Sequence, residues 1–254
     1  MKRYRHKSKK RRKTFFTGIL LFIVIIGIFI QNRISSSNQK QNISGSKPRY
    51  TSSTASDRQE HQVFFDDWNL MLVNSTHPVP EDFSIETVPL INGQAVDSRI
   101  LKPLQDMMDA ARADGLSPLI CSSYRTDKKQ KALYDAQVKS CLNQGYSREE
   151  ALKQAAVWVA PPGTSEHQLG LAVDIVSSSY QLLDEAQENT PEQKWLMRHC
   201  AEYGFILRYP TNKSNITGIG YEPWHYRYVG TDAAKTIMEQ GICLEEYLGQ
   251  TPSI

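Results

Sequence analysis

Apolar residues recur along this chain in distinct rhythms, and the changes between them divide it. Residues 15–30, FFTGILLFIVIIGIFI, are sixteen positions without a charge. Residues 31–60 reverse this, being rich in Ser, Gln and Asn with almost no large apolar side chain, a composition that cannot bury enough surface to order itself. From Val63 apolar and polar positions mix, and a folded part is expected to begin there. VFFDDWNLMLVN, residues 63–74, reads as strand-like and leads into a loop-rich stretch containing Pro78, Pro80 and Pro89.

From Asp97 the period becomes helical. Ile100, Leu101, Leu104, Met107, Met108 and Ala111 recur at three and four, Pro103 falls early where a missing amide costs little, and Gly115 is the stop. PLICSSYR then reads as a buried strand. A second helix starts at Thr126 and carries Leu133, Val138, Cys141 and Leu142 to Gly145; a third opens on a capping box, Ser147 with Glu150, and runs through Trp158. Pro161, Pro162 and Gly163 open a loop, after which LGLAVDIV reads as a strand. In TPEQKWLMRHCAEYG, Thr190 is a cap, Pro191 takes the first helical position, Gln193 completes a box and Gly204 is the stop. FILRYP and EPWHYRYV supply two more strands around a turn at Gly218 and Gly220, and a last helical stretch over residues 231–248 is interrupted at Gly241. Helices and strands alternate irregularly and glycine turns join the late strands. This predicts an α+β fold, one domain with a small, mostly antiparallel sheet flanked by helices, rather than a doubly wound one.

Charge changes the reading of the first segment. Of the 30 Lys and Arg in the chain, 10 fall within residues 1–34, where there is no Asp or Glu; the remainder holds 20 basic against 27 acidic residues. A basic tail alone could suggest nucleic acid. Running straight into an apolar stretch of roughly 24 Å as a helix, against a hydrocarbon core of ~30 Å, it reads instead as a membrane flank. The expectation is therefore a basic cytoplasmic tail (residues 1–14), a transmembrane anchor (15–32), a flexible linker (33–62) and a folded domain (63–254) outside the cell membrane, with no nucleic-acid partner. A cleaved signal peptide is the alternative, although no A-x-A-like site follows Ile30. The four cysteines, Cys121, Cys141, Cys200 and Cys243, have wide, irregular spacing that matches neither a disulfide framework nor a zinc pattern. Each lies in an apolar context, which favours buried thiols.

The candidate chemistry lies in two stretches, SEHQLGLAVD (165–174) and EPWH (222–225), which hold two of the chain's six histidines. His61, His77 and His199 read as ordinary surface or core residues. A catalytic zinc takes three protein ligands and keeps one position open. His167 at the mouth of a strand, Asp174 seven residues on along it, and His225 on an adjacent strand would supply two imidazoles and a carboxylate. Glu222 is the candidate general base beside the metal. Positions three apart on a strand face opposite sides, so Glu222 and His225 converge only if the chain bends at Glu222. A third piece is SSYRT: Arg125 is placed to present its fork to a carboxylate, with Gln130 near enough to help. Taken alone, Arg125 reads as a structural salt bridge; beside a peptidase zinc site it becomes a candidate grip on a free C-terminal carboxylate.

With these residues in view, the chain resembles the VanY-type D-alanyl-D-alanine carboxypeptidases, zinc peptidases of the group that also includes the VanX dipeptidases and the hedgehog domain. The likeness is carried by SSYRTDKKQ, PPGTSEHQLGLAVDIV, YGFILRYP and TGIGYEPWHYRYVG in that order, and extends loosely from Trp68 to the final helix. It implies Zn2+ bound by His167, Asp174 and His225, with Glu222 as general base. It further implies that Arg125, Gln130 and Ser165 contact the terminal D-residue of a peptidoglycan stem peptide, and that Tyr221 and Trp224 are pocket walls, a role that competes with simple core packing. The implied reaction is hydrolytic removal of the last D-Ala, with a contribution to glycopeptide resistance as a further expectation. Two competing readings stand beside it: an L,D-carboxypeptidase acting on tetrapeptides, and a membrane-tethered wall-binding module without catalysis.

Overall fold

The structure is a computed structural model that describes residues 68–250. The basic tail, the apolar stretch 15–30, the linker, His61 and the first part of the expected 63–74 strand lie outside the described residues. Among the described residues no helix is long and apolar enough to cross a membrane.

A four-stranded antiparallel sheet organises the domain: β3 (Pro118–Ser122), β4 (Ala172–Ser177), β5 (Phe205–Leu207) and β6 (His225–Tyr228), in the spatial order β3-β4-β6-β5. A separate hairpin pairs β1 (Thr87–Pro89) with β2 (Ala95–Asp97). The α+β expectation holds, and it holds because β4 is buried at all six positions and so needs cover on both faces. The two-residue period of the strands sorts that cover. Val173 and Ile175 of β4, with Tyr226 of β6, face a core built with α1 (Leu101–Ala113) and α4 (Pro191–His199), including Leu104, Met107, Trp195 and Leu196. Full burial of such side chains stabilises by roughly 1.5–3 kcal/mol each. The alternate positions, Ala172 and Asp174, share the opposite face with their cross-strand partners Arg227 and His225. On that side Ile206 of β5 packs with Val229, with Ala234 and Ile237 of α6 (Thr231–Gln240), which follows the one-turn α5 (Ser214–Thr217), and with Leu244 of the short α7 (Leu244–Tyr247).

The caps read from the sequence are formed. Thr126 accepts from the amide of Lys129 to start α2 (Asp127–Asn143), and Ser147 and Glu150 close a capping box on α3 (Arg148–Ala156). These two helices form a hairpin with its own small cluster of Cys141, Ala151 and Ala155.

Four expectations are corrected. Residues 68–70 form a 3-10 turn, not a strand: the carbonyls of Asn69 and Met71 accept from Arg227 instead of a ladder partner, and the Trp68 ring stacks on Tyr228 with the Arg99 guanidinium 3.8 Å above it. Pro89, expected in a loop, closes strand β1, an edge position that needs no amide. The third helix ends at Ala156, before Trp158. Gln193 does not complete a box at Thr190; its amide donates to the Ile175 carbonyl and its carbonyl accepts from the Tyr226 hydroxyl, tying α4 to the sheet.

Candidate functional site

Asp174 sits mid-strand with Ser122 beside it on β3 and His225 beside it on β6, so the sheet register alone brings a carboxylate and an imidazole into contact. His167 arrives from the turn Glu166–Leu169, which closes on Gly170 in the left-handed region at φ 69°. One ligand atom from each of the three residues lies within 4.8 Å of the others, and all three are buried. The separations are 3.3 Å from His167 Nε2 to Asp174 Oδ2 and 3.1 Å from His225 Nδ1 to Asp174 Oδ1. His167 Nδ1 is 2.9 Å from the Ser123 carbonyl, which can only accept; the proton is therefore on Nδ1, leaving the Nε2 lone pair toward the cluster.

The bend expected at Glu222 is present. The His225 amide donates to the Glu222 carbonyl (3.2 Å), closing a four-residue turn with Pro223 at its second position, where a fixed φ is favourable. β6 therefore begins at His225, and the Glu222 carboxylate folds back to 3.6 Å from His225 Nδ1.

Arg125 reaches the same cluster. Its Nε and Nη2 donate to Ser122 Oγ (3.0 and 2.7 Å), Nη2 also to Asp174 Oδ2 (2.9 Å), and Nη1 to Gln130 Oε1 (3.3 Å). The fork expected to face a ligand is thus largely committed to Ser122 and Asp174, and one of the five guanidinium hydrogens, on Nη1, remains without a partner among the described residues. Gln130 is fully buried and anchors itself on the Ala160 carbonyl. Ser165 is buried immediately before the His167 turn, its side chain making no cap hydrogen bond. Tyr221 is half-buried and donates to Glu188 Oε2 (3.0 Å), while Trp224 is buried and its carbonyl accepts from Ile175. A pocket lined by Ala160, Pro161, Thr164, Tyr209 and Ile219 adjoins the cluster, its Tyr209 ring 4.7 Å from the His225 ring.

Electrostatics suits a cation here. Burial, reinforced by the Arg125 charge, pushes the His167 pKa down to about 4, so this imidazole is neutral at neutral pH as a ligand must be. Burial also disfavours a proton on His225, but the Asp174 and Glu166 carboxylates and the Glu222 charge outweigh it and lift its pKa to about 9; positive charge is attracted to this spot. Asp174 Oδ1 is buried with no hydrogen-bond partner, which a metal ion would supply. Two imidazoles and a carboxylate are a donor set that fits zinc, which in catalytic sites takes three protein ligands and keeps its fourth position for water. Burial, aided by the Asp174 charge, raises Glu222 to about 8, within the range of a general base working near neutrality.

The sequence reading passed over Glu166. It is buried between two fully buried arginines, accepting from Arg208 Nε (2.7 Å) and Arg227 Nη1 (2.9 Å), and Arg208 also forks onto both oxygens of Glu245 in α7 (2.8 and 2.7 Å). The available signal was Arg208 and Arg227 inside the apolar strands FILRYP and HYRYV, since a guanidinium in a two-sided strand demands buried carboxylates. His77 and His199 make local contacts with Asn74 and Glu202, and all four cysteines are free thiols.

Comparison with known proteins points to one family. A family model described as VanY: D-alanyl-D-alanine carboxypeptidase matches residues 93–231. A D-alanyl-D-alanine carboxypeptidase of Enterococcus faecalis (strain ATCC 700802 / V583) is 46% identical over 198 residues, covering 78% of this chain and 70% of that protein. Among solved structures, VanYB in complex with D-alanine-D-alanine superimposes with a TM-score of 0.67 at 48% identity, covering 72% of this chain and 98% of that one. The LdcB LD-carboxypeptidase follows at a TM-score of 0.58 and 36% identity, over 72% and 86%. A Glu→Ala mutant of VanY from a VanB-type resistance cassette, solved in complex with Zn(II), matches at 48% identity and a TM-score of 0.66, over 71% and 99%. A match over more than half of the chain, with identities near one in two, establishes that this chain belongs to the VanY family of D-alanyl-D-alanine carboxypeptidases.

Proposed function

We propose that this protein is a membrane-anchored, zinc-dependent D,D-carboxypeptidase that removes the C-terminal D-Ala from peptidoglycan stem pentapeptides. The observation that carries the proposal is one buried cluster in which His167, Asp174 and His225 converge with Glu222 on one side and the Arg125–Gln130 pair on the other. Zinc held by the three would supply Lewis-acid polarisation of the scissile carbonyl and make water a better nucleophile. Glu222, its carboxylate 3.6 Å from the His225 ring, takes the proton of the attacking water and returns it to the leaving amine. Arg125 contributes its charge and its Nη1 hydrogen to the terminal carboxylate, and so favours a chain end over an internal bond. Gln130, fixed on the Ala160 carbonyl, holds the guanidinium in place, and the buried Ser165 hydroxyl is the further polar group on this side.

The L,D-carboxypeptidase reading has support in the likeness to LdcB and to DacB of Streptococcus pneumoniae at 36% and 31% identity; the 46–48% identity to D,D enzymes favours the D,D assignment. The uncharged stretch 15–30 behind a basic tail supports the anchor and an extracytoplasmic site. An accessory role in glycopeptide resistance is consistent with removal of D-Ala ends, and it is abandoned if a deletion strain keeps its precursor composition and its susceptibility.

The test is D-Ala release from penta- and tetrapeptide by zinc-loaded protein and by Glu222→Gln. The expected result is release from pentapeptide by the native chain, and zinc retention with a rate lower by about 10²–10⁴-fold in the variant. Release from tetrapeptide alone favours the L,D reading, and a variant as fast as the native chain removes Glu222 from its role.

A further inference from the structure

We propose that Glu166 is a positioning residue, holding the His225 ring in the tautomer that leaves Nδ1 free to bind metal. The turn Glu166–Leu169 would then serve both imidazoles: His167 enters the cluster directly, and the side chain before it reaches beneath the sheet to the other histidine. Glu166 Oε2 and His225 Nε2 are both buried, neither has a hydrogen-bond partner among the described residues, and they face each other at 3.6 Å. Across the same ring, Nδ1 points at Asp174 Oδ1 from 3.1 Å. A ligating Nδ1 must offer its lone pair, so the ring proton belongs on Nε2, and a carboxylate oxygen there is the acceptor that keeps it there. Glu166 cannot turn away, because its other oxygen is held by Arg208 and Arg227.

The competing explanation is that Glu166 only neutralises two buried arginines. Glu245 separates the two ideas: it belongs to the same ionic cluster through Arg208, but its carboxylate is engaged by Arg208 and Asn74 and not by His225. Glu166→Gln makes the distinction sharp. Its amide oxygen must take the Oε1 position to accept from the two arginines, which turns the NH2 group toward His225 Nε2. A donor there requires a lone pair on Nε2 and moves the ring proton to Nδ1.

The inference rests on the zinc reading, and its experiment keeps the two apart. Zinc affinity is measured by chelator competition for the native chain, Glu166→Gln and Glu245→Gln. The Nε2 proton of His225 is followed by NMR in the zinc-loaded protein, where Nδ1 is occupied and a carboxylate acceptor on Nε2 shifts that proton downfield. Expected are a downfield Nε2 proton in the native chain, loss of that downfield shift in Glu166→Gln with zinc affinity lower by about 10–100-fold, and a Glu245→Gln protein that is less stable to urea but unchanged in both other readouts. Equal zinc affinity in the native chain and Glu166→Gln, or an equal loss in Glu245→Gln, overturns the inference. Should Glu166→Gln not fold, an Nε2 proton without the downfield shift in the zinc-loaded native protein overturns it, and a downfield one supports it. A native chain that binds no zinc removes the zinc reading itself.

Discussion

Replacing Gly170 by alanine tests how tightly the turn that delivers His167 is seated. Gly170 has φ 69°, and a Cβ built there would lie 2.6 Å from Ile85 Cδ1 and 3.0 Å from the Asp97 amide nitrogen, the same amide that donates to the Gly170 carbonyl at 3.0 Å. Two costs follow. A left-handed conformation costs an L-residue roughly 1–2 kcal/mol. The overlap adds about 1–3 kcal/mol, because Ile85 can rotate its tip but the Asp97 backbone is pinned by its own hydrogen bond. The expected destabilisation is about 2–5 kcal/mol, or roughly 4–20 °C in Tm for a domain of this size. Gly115 provides the control: it has φ 81° and open space where a Cβ would sit, so Gly115→Ala carries only the conformational cost. Urea unfolding of both variants in excess chelator, compared at constant m, isolates the overlap as the difference between them. A Gly170→Ala protein within about 0.5 kcal/mol of Gly115→Ala would refute the steric argument.

Three further outcomes are expected. Tyr226→Phe leaves the buried Gln193 Oε1 without its donor and should cost about 1–3 kcal/mol in urea unfolding, with zinc content unchanged. Acid should weaken the fold through Glu166 and Glu245, whose carboxyls the arginines hold below the ordinary 4.5 against the opposing effect of burial. Their contribution is complete above about pH 4.5 and is lost as pH falls through the depressed values, so Glu245→Gln should flatten the acid limb of a stability–pH curve. Asp174→Ala removes the carboxylate from the donor set and should abolish stoichiometric zinc in elemental analysis, while an unchanged zinc content would contradict the donor assignment.

The helices were legible because their signals are local: Thr126, Ser147 and Thr190 cap where their neighbours' amides are, and α1 buries Leu104, Met107, Met108 and Ala111 at the spacing the pattern shows. The site residues were legible because a buried donor set needs types that are scarce, and SEHQLGLAVD and EPWH concentrate them. What escaped was decided by partners distant in sequence. Gln193 fits a capping box locally, yet the Ile175 carbonyl and Tyr226 hydroxyl offered it buried hydrogen bonds. The 68–74 segment has strand composition, yet Arg227 claims its carbonyls. Glu166 looks like a surface residue beside a histidine until two arginines, 42 and 61 positions away, are brought to it.

Those arginines also set how short the domain can be cut. Arg227 Nη2 donates to the carbonyls of Asn69 and Met71, and the end of the Arg208 fork is filled by Glu245. A soluble fragment for crystallisation or inhibitor screening must therefore start before Asn69 and run past Glu245. Cutting at Gln240 would keep every proposed zinc ligand in the sequence and still strip the buried Arg208 of Glu245, one of its two carboxylate partners, at a cost of about 3–5 kcal/mol. The buried charges mark both ends as part of the minimal folding unit.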